Sequence, residues 1–330
     1  MDSSIIITFA IPLFFGLILI EFFYGVITKQ NNYRINDAIT SMSLGLISRF
    51  VPILGLGFQY VVYKAVAEHY NLKLLSGEEI WVWVTAFILY DICYYWMHRI
   101  HHEIKVFWAT HVVHHHGEEF NLATALRQTS TGFLWKWVFF LPLFIIGIPP
   151  QMYVTVAGLN LVYQFWVHTE HIGRLGFLEY IFVTPSNHRV HHAQNEDYLD
   201  ANYGGVFILW DRLFGTFIDE RSDLKPVYGT VKPLKSFNPF WANIEVFYQM
   251  IFDSYHTEKF TDKIRVWFSP PNWRPEDVSM KYPIDKNDLS SFEKYDPNIS
   301  LREKIFAGAQ FTVINLMTIV MLFNVQNYIY

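Results

Sequence analysis

The chain has 330 residues, of which 52% are hydrophobic, 18% aromatic and only 17% charged. Soluble domains average about 25% charged residues, so this composition is typical of an integral membrane protein. The formal net charge of −5 argues against nucleic acid as a partner, which requires a concentrated basic face. A single cysteine, Cys93, excludes an intramolecular disulfide and any iron–sulfur cluster held by several cysteines.

Apolar runs along the chain predict four membrane-spanning helices, because each is long enough for a hydrocarbon layer of about 30 Å. The four runs cover residues 5–27, 39–66, 80–97 and 305–325. Two shorter apolar stretches, 133–146 and 152–167, are separated by Gly147, Pro149 and Pro150, which break a helix. We therefore predict a helical hairpin over 133–167.

The charges in the loops predict the orientation of these spans. Lys29 and Arg34 follow the first span, whereas glutamates dominate the connection after the second. Under the positive-inside rule the Lys29 side is cytoplasmic, so His98, at the end of the third span, lies at the cytoplasmic surface. A compact chain without a retention signal favours a bacterial inner membrane over the endoplasmic reticulum.

The predicted fold is an all-α, polytopic membrane protein with a helical lobe on the cytoplasmic side. We divide it into anchor spans over 1–97, a histidine-rich catalytic region over 98–217, a cytoplasmic or interfacial region over 218–304 and a C-terminal transmembrane helix over 305–330. Residues 241–268 mix aromatic and charged residues, which predicts an amphipathic helix. This helix lies either at the bilayer interface or against the catalytic lobe.

Twelve of the fourteen histidines lie between His98 and His192. Residues three and four apart share a helix face, so helical spacing predicts that the imidazoles of each cluster are directed into one volume. A single ion uses roughly 3 to 6 protein ligands, so nine clustered histidines predict a dinuclear metal centre. The nine are His98 and His102, then His111, His114 and His115, then His168, and then His188, His191 and His192.

Imidazole binds iron, zinc, copper and nickel, so the ligand type alone leaves the metal open. A catalytic zinc needs three protein ligands, and nine histidines exceed what hydrolysis requires. A pair of irons in a nitrogen-rich shell suits dioxygen activation, which we take as the leading interpretation. The alternatives are a zinc-dependent membrane hydrolase and a metal transporter or sensor.

Other residues near these motifs are candidates for orienting the ligands. Metal-bound histidines usually donate their second ring N–H to a carboxylate or carbonyl, and Asp91, seven residues before His98, is the best placed carboxylate. His101, His116, His171 and Asn187 lie beside or near predicted ligands and are further candidates for this supporting role.

Four strings of the sequence resemble the membrane fatty acid hydroxylase/sterol desaturase superfamily, and within it the alkylglycerol monooxygenases. The resemblance is strongest over 87–217 and includes the motifs H-x-x-x-H, H-x-x-H-H and H-x-x-H-H. The four strings are YDICYYWMHRIHH, HVVHHHGEEFNLATALRQ, QFWVHTEH and TPSNHRVHHAQNEDYLDANYGGVFILWDRLFGTF.

The resemblance implies a membrane-embedded di-iron enzyme that uses O2 and two external electrons to hydroxylate or desaturate a lipid taken from the bilayer. Position by position, it makes the same nine histidines the metal ligands. It also implies tetrahydrobiopterin as the reductant and ether-lipid cleavage as the reaction. The chain departs from the subfamily at His116, which is usually serine, and at Asn187, which is usually histidine. A sterol, carotenoid or fatty-acyl hydroxylase or desaturase with a separate electron-donor protein is the alternative within the superfamily.

Overall fold

The computed structural model describes residues 3–53, 58–75, 77 and 79–324. This part of the chain is helical, with two isolated β-bridges, Phe182 with Phe207 and Ala193 with Tyr228. The prediction of an all-α fold is confirmed. The longer helices are α1 (Ser3–Thr28), α2 (Ile35–Ile53), α3 (Gln59–His69), α4 (Ile80–Glu103), α8 (Pro150–Trp166), α11 (Pro239–His256) and α14 (Leu301–Asn324). The shorter ones are α5 (Lys105–Trp108), α6 (Val112–His115), α7 (Leu141–Ile146), α9 (Pro185–His191), α10 (Leu209–Phe214), α12 (Phe260–Phe268) and α13 (Glu276–Lys281).

Within the described residues, one helix, α4, is long and apolar enough to cross a membrane. Helices α1 and α14 also expose large apolar side chains, such as Ile20 and Ile27 on α1 and Ile305 and Met317 on α14. Exposed apolar faces of this extent are consistent with a membrane protein, because lipid covers them at no cost. The number of four spans stays a prediction.

The apolar run 39–66, predicted as one span, corresponds to two helices with different neighbours. Helix α2 packs against residues 124–126, α11 and α14, whereas α3 packs against α7 and α8. The sequence between them contains Gly55 and Gly57, and glycine disfavours the interior of a helix. Residues 54–57 themselves lie outside the described part of the chain.

The apolar stretch 133–167 contains α7 and α8, which meet at a sharp break. Gly147 ends α7 with a left-handed backbone (φ 117°), a conformation that costs glycine little, and Pro149 precedes the first turn of α8. A Cβ on Gly147 would lie 3.0 Å from the backbone nitrogen of Leu75. Helices α3, α4, α7 and α8 share one apolar core, which anchors the base of α4 and so fixes the position of its C-terminal histidines.

Helix α1 is tied to the polar part of the chain by a buried glutamate. Glu21 accepts hydrogen bonds from the hydroxyl of Tyr33, the hydroxyl of Thr169 and the backbone N–H of Leu122. Thr169 directly follows His168, so this network fixes an apolar helix next to a predicted ligand.

The amphipathic helix predicted over 241–268 is instead two helices, α11 and α12, which pack on each other. Their buried faces contribute Met250 and Val266 to a core with Val106 and Ala109 near α5. Both helices also have exposed apolar side chains at three- and four-residue spacing, which are Phe240, Ile244, Tyr248, Ile251 and Tyr255 on α11 and Phe260, Ile264 and Phe268 on α12. We call these eight residues the exposed stripe.

Candidate metal centre

The structure brings the nine predicted histidines together in two adjacent groups. Within each group, one ligand atom per residue lies within 4.8 Å of those of all the other members. The first group is His98, His102, His111, His115 and His191, and the second is His114, His168, His188 and His192. The groups are side by side, since the ring centroids of His115 and His192 are 4.4 Å apart.

The two histidine triplets are divided between the groups, so the prediction that each cluster fills a single volume is wrong for them and holds only for His98 and His102. Residues four apart stay together, as His111 and His115 do, because they lie above one another on a helix. The third member of each triplet, His114 or His191, belongs to the opposite group. Both α6 and α9 therefore contribute to both groups, and each group depends on at least three chain segments.

Backbone carbonyl groups orient four of the nine rings. The Nδ1–H of His98 donates to the carbonyl oxygen of Tyr203 at 2.8 Å, and that of His191 donates to Ala201 at 2.9 Å. In the second group, His114 donates to Arg127 at 3.1 Å, and His168 to Gln164 at 2.8 Å. With Nδ1 protonated, each neutral ring has its lone pair on Nε2.

These Nε2 lone pairs face each other and repel, because no proton lies between them. The Nε2 atoms of His114 and His168 lie 3.2 Å apart, and neither has a proton to donate. In the first group, the Nε2 atoms of His98 and His111 are 3.0 Å apart, and buried His191 Nε2 has no hydrogen-bond partner in the described part of the chain. Two nitrogens at about 2.1 Å from one ion and 90° apart would be separated by about 3.0 Å. The donor set therefore fits metal ions.

Burial keeps these rings neutral. It lowers the pKa of His168 to about 3 and that of His191 to about 4, mainly because the charged form loses its hydration. The pKa values of His188 and His192 are also well below the usual range, first through burial and then through neighbouring imidazoles. A neutral imidazole is the form that coordinates a metal.

Aromatic side chains form walls on both sides of the centre. The ring of Phe120, which is fully buried, lies 5.6 Å from that of His168 and 5.2 Å from that of His192. On the other side, the ring of Trp108 lies 4.9 Å from that of His102. These rings pack directly against histidines of both groups.

Asp91, predicted to orient a ligand, hydrogen-bonds to no histidine. Its carboxylate instead accepts from the backbone N–H groups of Val206 and Phe207, from the Trp210 indole and from the amide of Asn160, all at 2.9 to 3.0 Å. These four donors satisfy the buried carboxylate. Asp91 thus fixes the loop before α10 to α4, and the carbonyl oxygen of Tyr203 takes the place predicted for it beside His98.

Asp211, on α10, is a supporting residue that the sequence analysis missed. Its two carboxylate oxygens accept from the backbone N–H groups of Tyr203 and Gly204 at 2.7 and 2.8 Å, and its Oδ1 also accepts from the hydroxyl of Thr216. Burial raises the pKa of Asp211 to about 6, although these hydrogen bonds lower it. Asp211 therefore fixes the peptide whose carbonyl group orients His98.

The remaining supporting candidates lie outside both groups. The Nδ1–H of His101 donates to the carbonyl oxygen of Met97, and its Nε2 is buried without a partner among the described residues. His116 is buried beside the centre, and His171 lies against the ring of Tyr24. Asn187 has a structural role, because its side chain and that of Thr184 cap the N-terminus of α9 reciprocally.

A cavity of about 200 Å³ reaches both groups from the side of α11 to α13. Its inner wall includes His102 and His191 from the first group and His192 from the second. The outer wall comes from residues 229–286 and includes the charged side chains of Lys232, Glu245 and Arg274; the sequence analysis did not connect this region with the site. The cavity therefore offers space for a ligand next to the histidines.

Residues 83–216, which include all nine histidines, match the fatty acid hydroxylase family. The chain contains a fatty acid hydroxylase domain. It is 40% identical over 267 residues to alkylglycerol monooxygenase of Homo sapiens, which covers 81% of this chain and 59% of that protein. Alkylglycerol monooxygenase of Xenopus tropicalis is 38% identical over 285 residues, covering 86% of this chain and 63% of that protein. The predicted resemblance to this superfamily, and within it to alkylglycerol monooxygenases, is confirmed.

More distant relatives match a smaller share of the chain. An ornithine lipid hydroxylase of Rhizobium tropici is 28% identical over 142 residues, which is 41% of each protein. The chain spans only about three-fifths of the length of the alkylglycerol monooxygenases named above. No solved structure gives a significant match.

Proposed function

We propose that this chain is a membrane monooxygenase that inserts an oxygen atom from O2 into a C–H bond of a lipid. The observation that carries the proposal is the convergence of nine neutral histidines, eight of them buried and His114 partly buried, in two adjacent groups. Two adjacent ions can act together on one small molecule such as O2. Hydrolysis needs only a single zinc ion, so two histidine groups favour an oxygenase.

In this proposal each histidine group holds one non-heme iron. His98, His102, His111, His115 and His191 hold the first ion, and His114, His168, His188 and His192 hold the second. Bound iron would supply the activation of O2 for insertion into a C–H bond. The protein supplies the rest: backbone carbonyl groups fix the ring orientations, and Phe120 and Trp108 pack against the histidine rings.

The substrate in this proposal is an alkylglycerol ether lipid that enters from the bilayer. The relatives with the longest matching regions are named alkylglycerol monooxygenases, which supports this substrate class. Hydroxylation of the carbon beside the ether oxygen gives a hemiacetal, which splits into an aldehyde and a glycerol derivative. The two electrons come from tetrahydrobiopterin or from an electron-donor protein, as the sequence resemblance implies.

We further propose that α1, α4 and α14 hold the chain in a membrane with the centre on the cytoplasmic side. The exposed apolar side chains of these helices and the position of Lys29 and Arg34 after α1 support this arrangement. A bacterial inner membrane is the proposed location.

The test is anaerobic purification of the full chain, metal analysis and product profiling with ether lipids, sterols and fatty acids under O2. We expect two iron equivalents per chain and a fatty aldehyde from an alkylglycerol. A hydroxylated sterol or fatty acid would assign the substrate to the related classes instead. Zinc-restored hydrolysis without O2 consumption would contradict the monooxygenase, as would fewer than two metal equivalents with no oxygenated product.

A further inference from the structure

The cavity beside the histidines contains a buried cation without a counter-ion. Lys105, the first residue of α5, is 4% exposed and lines the cavity. Its ammonium group donates to the backbone carbonyl of Trp273, and no carboxylate of the described residues lies within ion-pair distance of it. Burial lowers the pKa of Lys105 to about 8, so the ammonium is mostly charged at pH 7. An uncompensated charge of this kind is costly unless an anion approaches it.

The other charges near Lys105 compensate each other. Arg274 forms two hydrogen bonds with Asp253, at 2.8 and 2.9 Å, and Lys232 forms an ion pair with Glu245. The charges of these four side chains sum to zero, so the positive charge of Lys105 remains in excess inside the cavity. At the exposed rim, Lys286 and Asp200 offset each other.

A second buried group in the cavity also lacks a partner. His116 lines the same wall and is 6% exposed, and its Nδ1 has no hydrogen-bond partner in the described part of the chain. An ammonium and an imidazole on one cavity wall can bind two oxygens of one anion. The volume of about 200 Å³ is large enough for a tetrahedral oxyanion that bears a small substituent.

We propose that this cavity is a binding site for a phosphate group, held by Lys105 and His116 next to the histidine centre. The phosphate belongs either to the headgroup of a lipid or to a free phosphate compound, since both present the same oxygens. The site itself does not depend on the proposed oxygenase activity, because binding can be measured on protein that performs no turnover.

The first experiment measures binding of inorganic phosphate and of glycerol phosphate to the full chain in detergent by ³¹P line broadening. We expect saturable broadening that weakens by at least about tenfold in Lys105→Met, because hydrogen bonds to charged groups are among the stronger ones. Lys64→Met is the matched control, since Lys64 is 60% exposed and pairs with Glu68 away from the cavity. It should bind phosphate as the parent does.

A rim variant covers the case in which Lys105→Met fails to fold. Lys286→Met removes an exposed cation at the mouth of the cavity and should weaken phosphate binding by about two- to threefold, as expected for an exposed charge. Absence of saturable binding to the parent, or unchanged binding in both variants, would overturn the proposal. Equally tight binding of acetate would overturn the assignment to phosphate.

The second experiment identifies the source of the phosphate and rests on the proposed function. Product formation is compared for an alkylglycerol with and without a phosphate on its glycerol. A preference for the phosphorylated lipid that is lost in Lys105→Met assigns the site to a lipid headgroup. Phosphate binding without any such preference assigns it to a free phosphate compound, and supports the site even if no lipid is oxidised.

Discussion

Asp211 acts on the histidine centre through a single peptide. Both of its oxygens accept backbone N–H groups, those of Tyr203 and Gly204, and the carbonyl of Tyr203 orients His98. In Asp211→Asn an amide NH2 would replace one acceptor and face a backbone N–H, which leaves that donor unpaired. We expect metal affinity to fall by about 10- to 100-fold, the usual effect of losing a residue that supports a ligand.

A chelator titration of metal-loaded protein measures this effect. Asp223→Asn is the matched control, because Asp223 is 68% exposed and pairs only with Arg221. Equal chelator resistance of Asp211→Asn and the parent would show that the Tyr203 peptide keeps its position without the carboxylate.

Neighbouring histidines should differ in their effect on metal content. His168 belongs to the second group, whereas His171, three residues later, lies against Tyr24 outside both groups. We expect His168→Ala to lose about one of two metal equivalents, because its group has only four nitrogens and the loss of one weakens the binding of its ion. His171→Ala should retain both, as measured by metal analysis after gel filtration. Loss of metal from both variants alike would contradict the assignment.

The nine histidines could be predicted from the sequence because helical spacing and the family motifs point to the same residues. The contacts that orient these histidines could not be predicted from the sequence. Backbone carbonyl groups orient His98, His114, His168 and His191, and every residue has a carbonyl group, so no letter in the sequence distinguishes them. Asp91 was expected to orient a histidine because it shares a face of α4 with His98, but four donors from other segments occupy it.

At the scale of helices, α11 and α12 have one face on the domain and one face exposed. The exposed stripe contains five residues of α11 that are 51 to 80% exposed, at three- and four-residue spacing. This pattern supports the expectation that the helix lies at the bilayer interface, while its opposite face packs near α5. The sequence left these two locations as alternatives. Because α11 has one exposed apolar face and one face packed on the domain, the structure is compatible with both.

We expect lipid to shield the exposed stripe from water-soluble reagents. In a Cys93→Ala background, a cysteine at Ile251 should react with a charged maleimide at least about tenfold more slowly in lipid vesicles than a cysteine at Glu258, because lipid covers an interfacial apolar face. Ile251 is 58% exposed, and Glu258 is an exposed polar residue just beyond α11. Equal labelling rates would place this face of α11 in water.

Helix boundaries were less predictable than helical character. Hydrophobicity identifies the run 39–66, but it does not show that its two halves pack on different partners. The break at Gly147 was visible because glycine and two prolines occur together. Between α11 and α12 no such signal exists, and tertiary packing sets the boundary.

At the scale of the whole molecule, protonation of the buried histidines opposes folding. Burial sets the pKa of His168 at about 3 and that of His191 at about 4, below the ordinary value of 6.5. The unfolded chain therefore binds more protons between about pH 4 and pH 6.5, so the free energy of unfolding rises with pH across this window. We expect metal-free protein to lose stability as the pH falls from 6.5 towards 4.

Thermal unfolding in detergent, with and without metal, measures this dependence. Bound metal should raise Tm throughout, since it binds the folded state, and its advantage should shrink in acid as protons displace it. Replacing His168 with alanine should reduce the slope of stability against pH. A metal-free protein whose Tm stays constant from pH 6.5 to pH 4.5 would show that the buried rings are hydrated in solution.

The cavity is the feature of the whole molecule that the sequence could not reveal. Its wall combines Lys105, next to the first histidine motif, with residues more than a hundred positions later, such as Lys232 and Arg274. The packing of α12 against α5 and of α11 against α6 brings them together. Composition assigned residues 218–304 to an interfacial region, which gives no indication of a wall beside the histidines.

The division of each histidine triplet between the two groups has a consequence for how this protein can evolve. His191, at the end of α9, belongs to the first group, whereas His188 and His192 belong to the second. Inserting or deleting one residue just before His188 would therefore turn the following side chains by about 100° and misdirect all three at once. Neither histidine group can therefore be changed without affecting the other. Change in such enzymes is therefore expected to accumulate around the centre, in the loops and the outer cavity wall, while the lengths of the segments between the histidines stay constant.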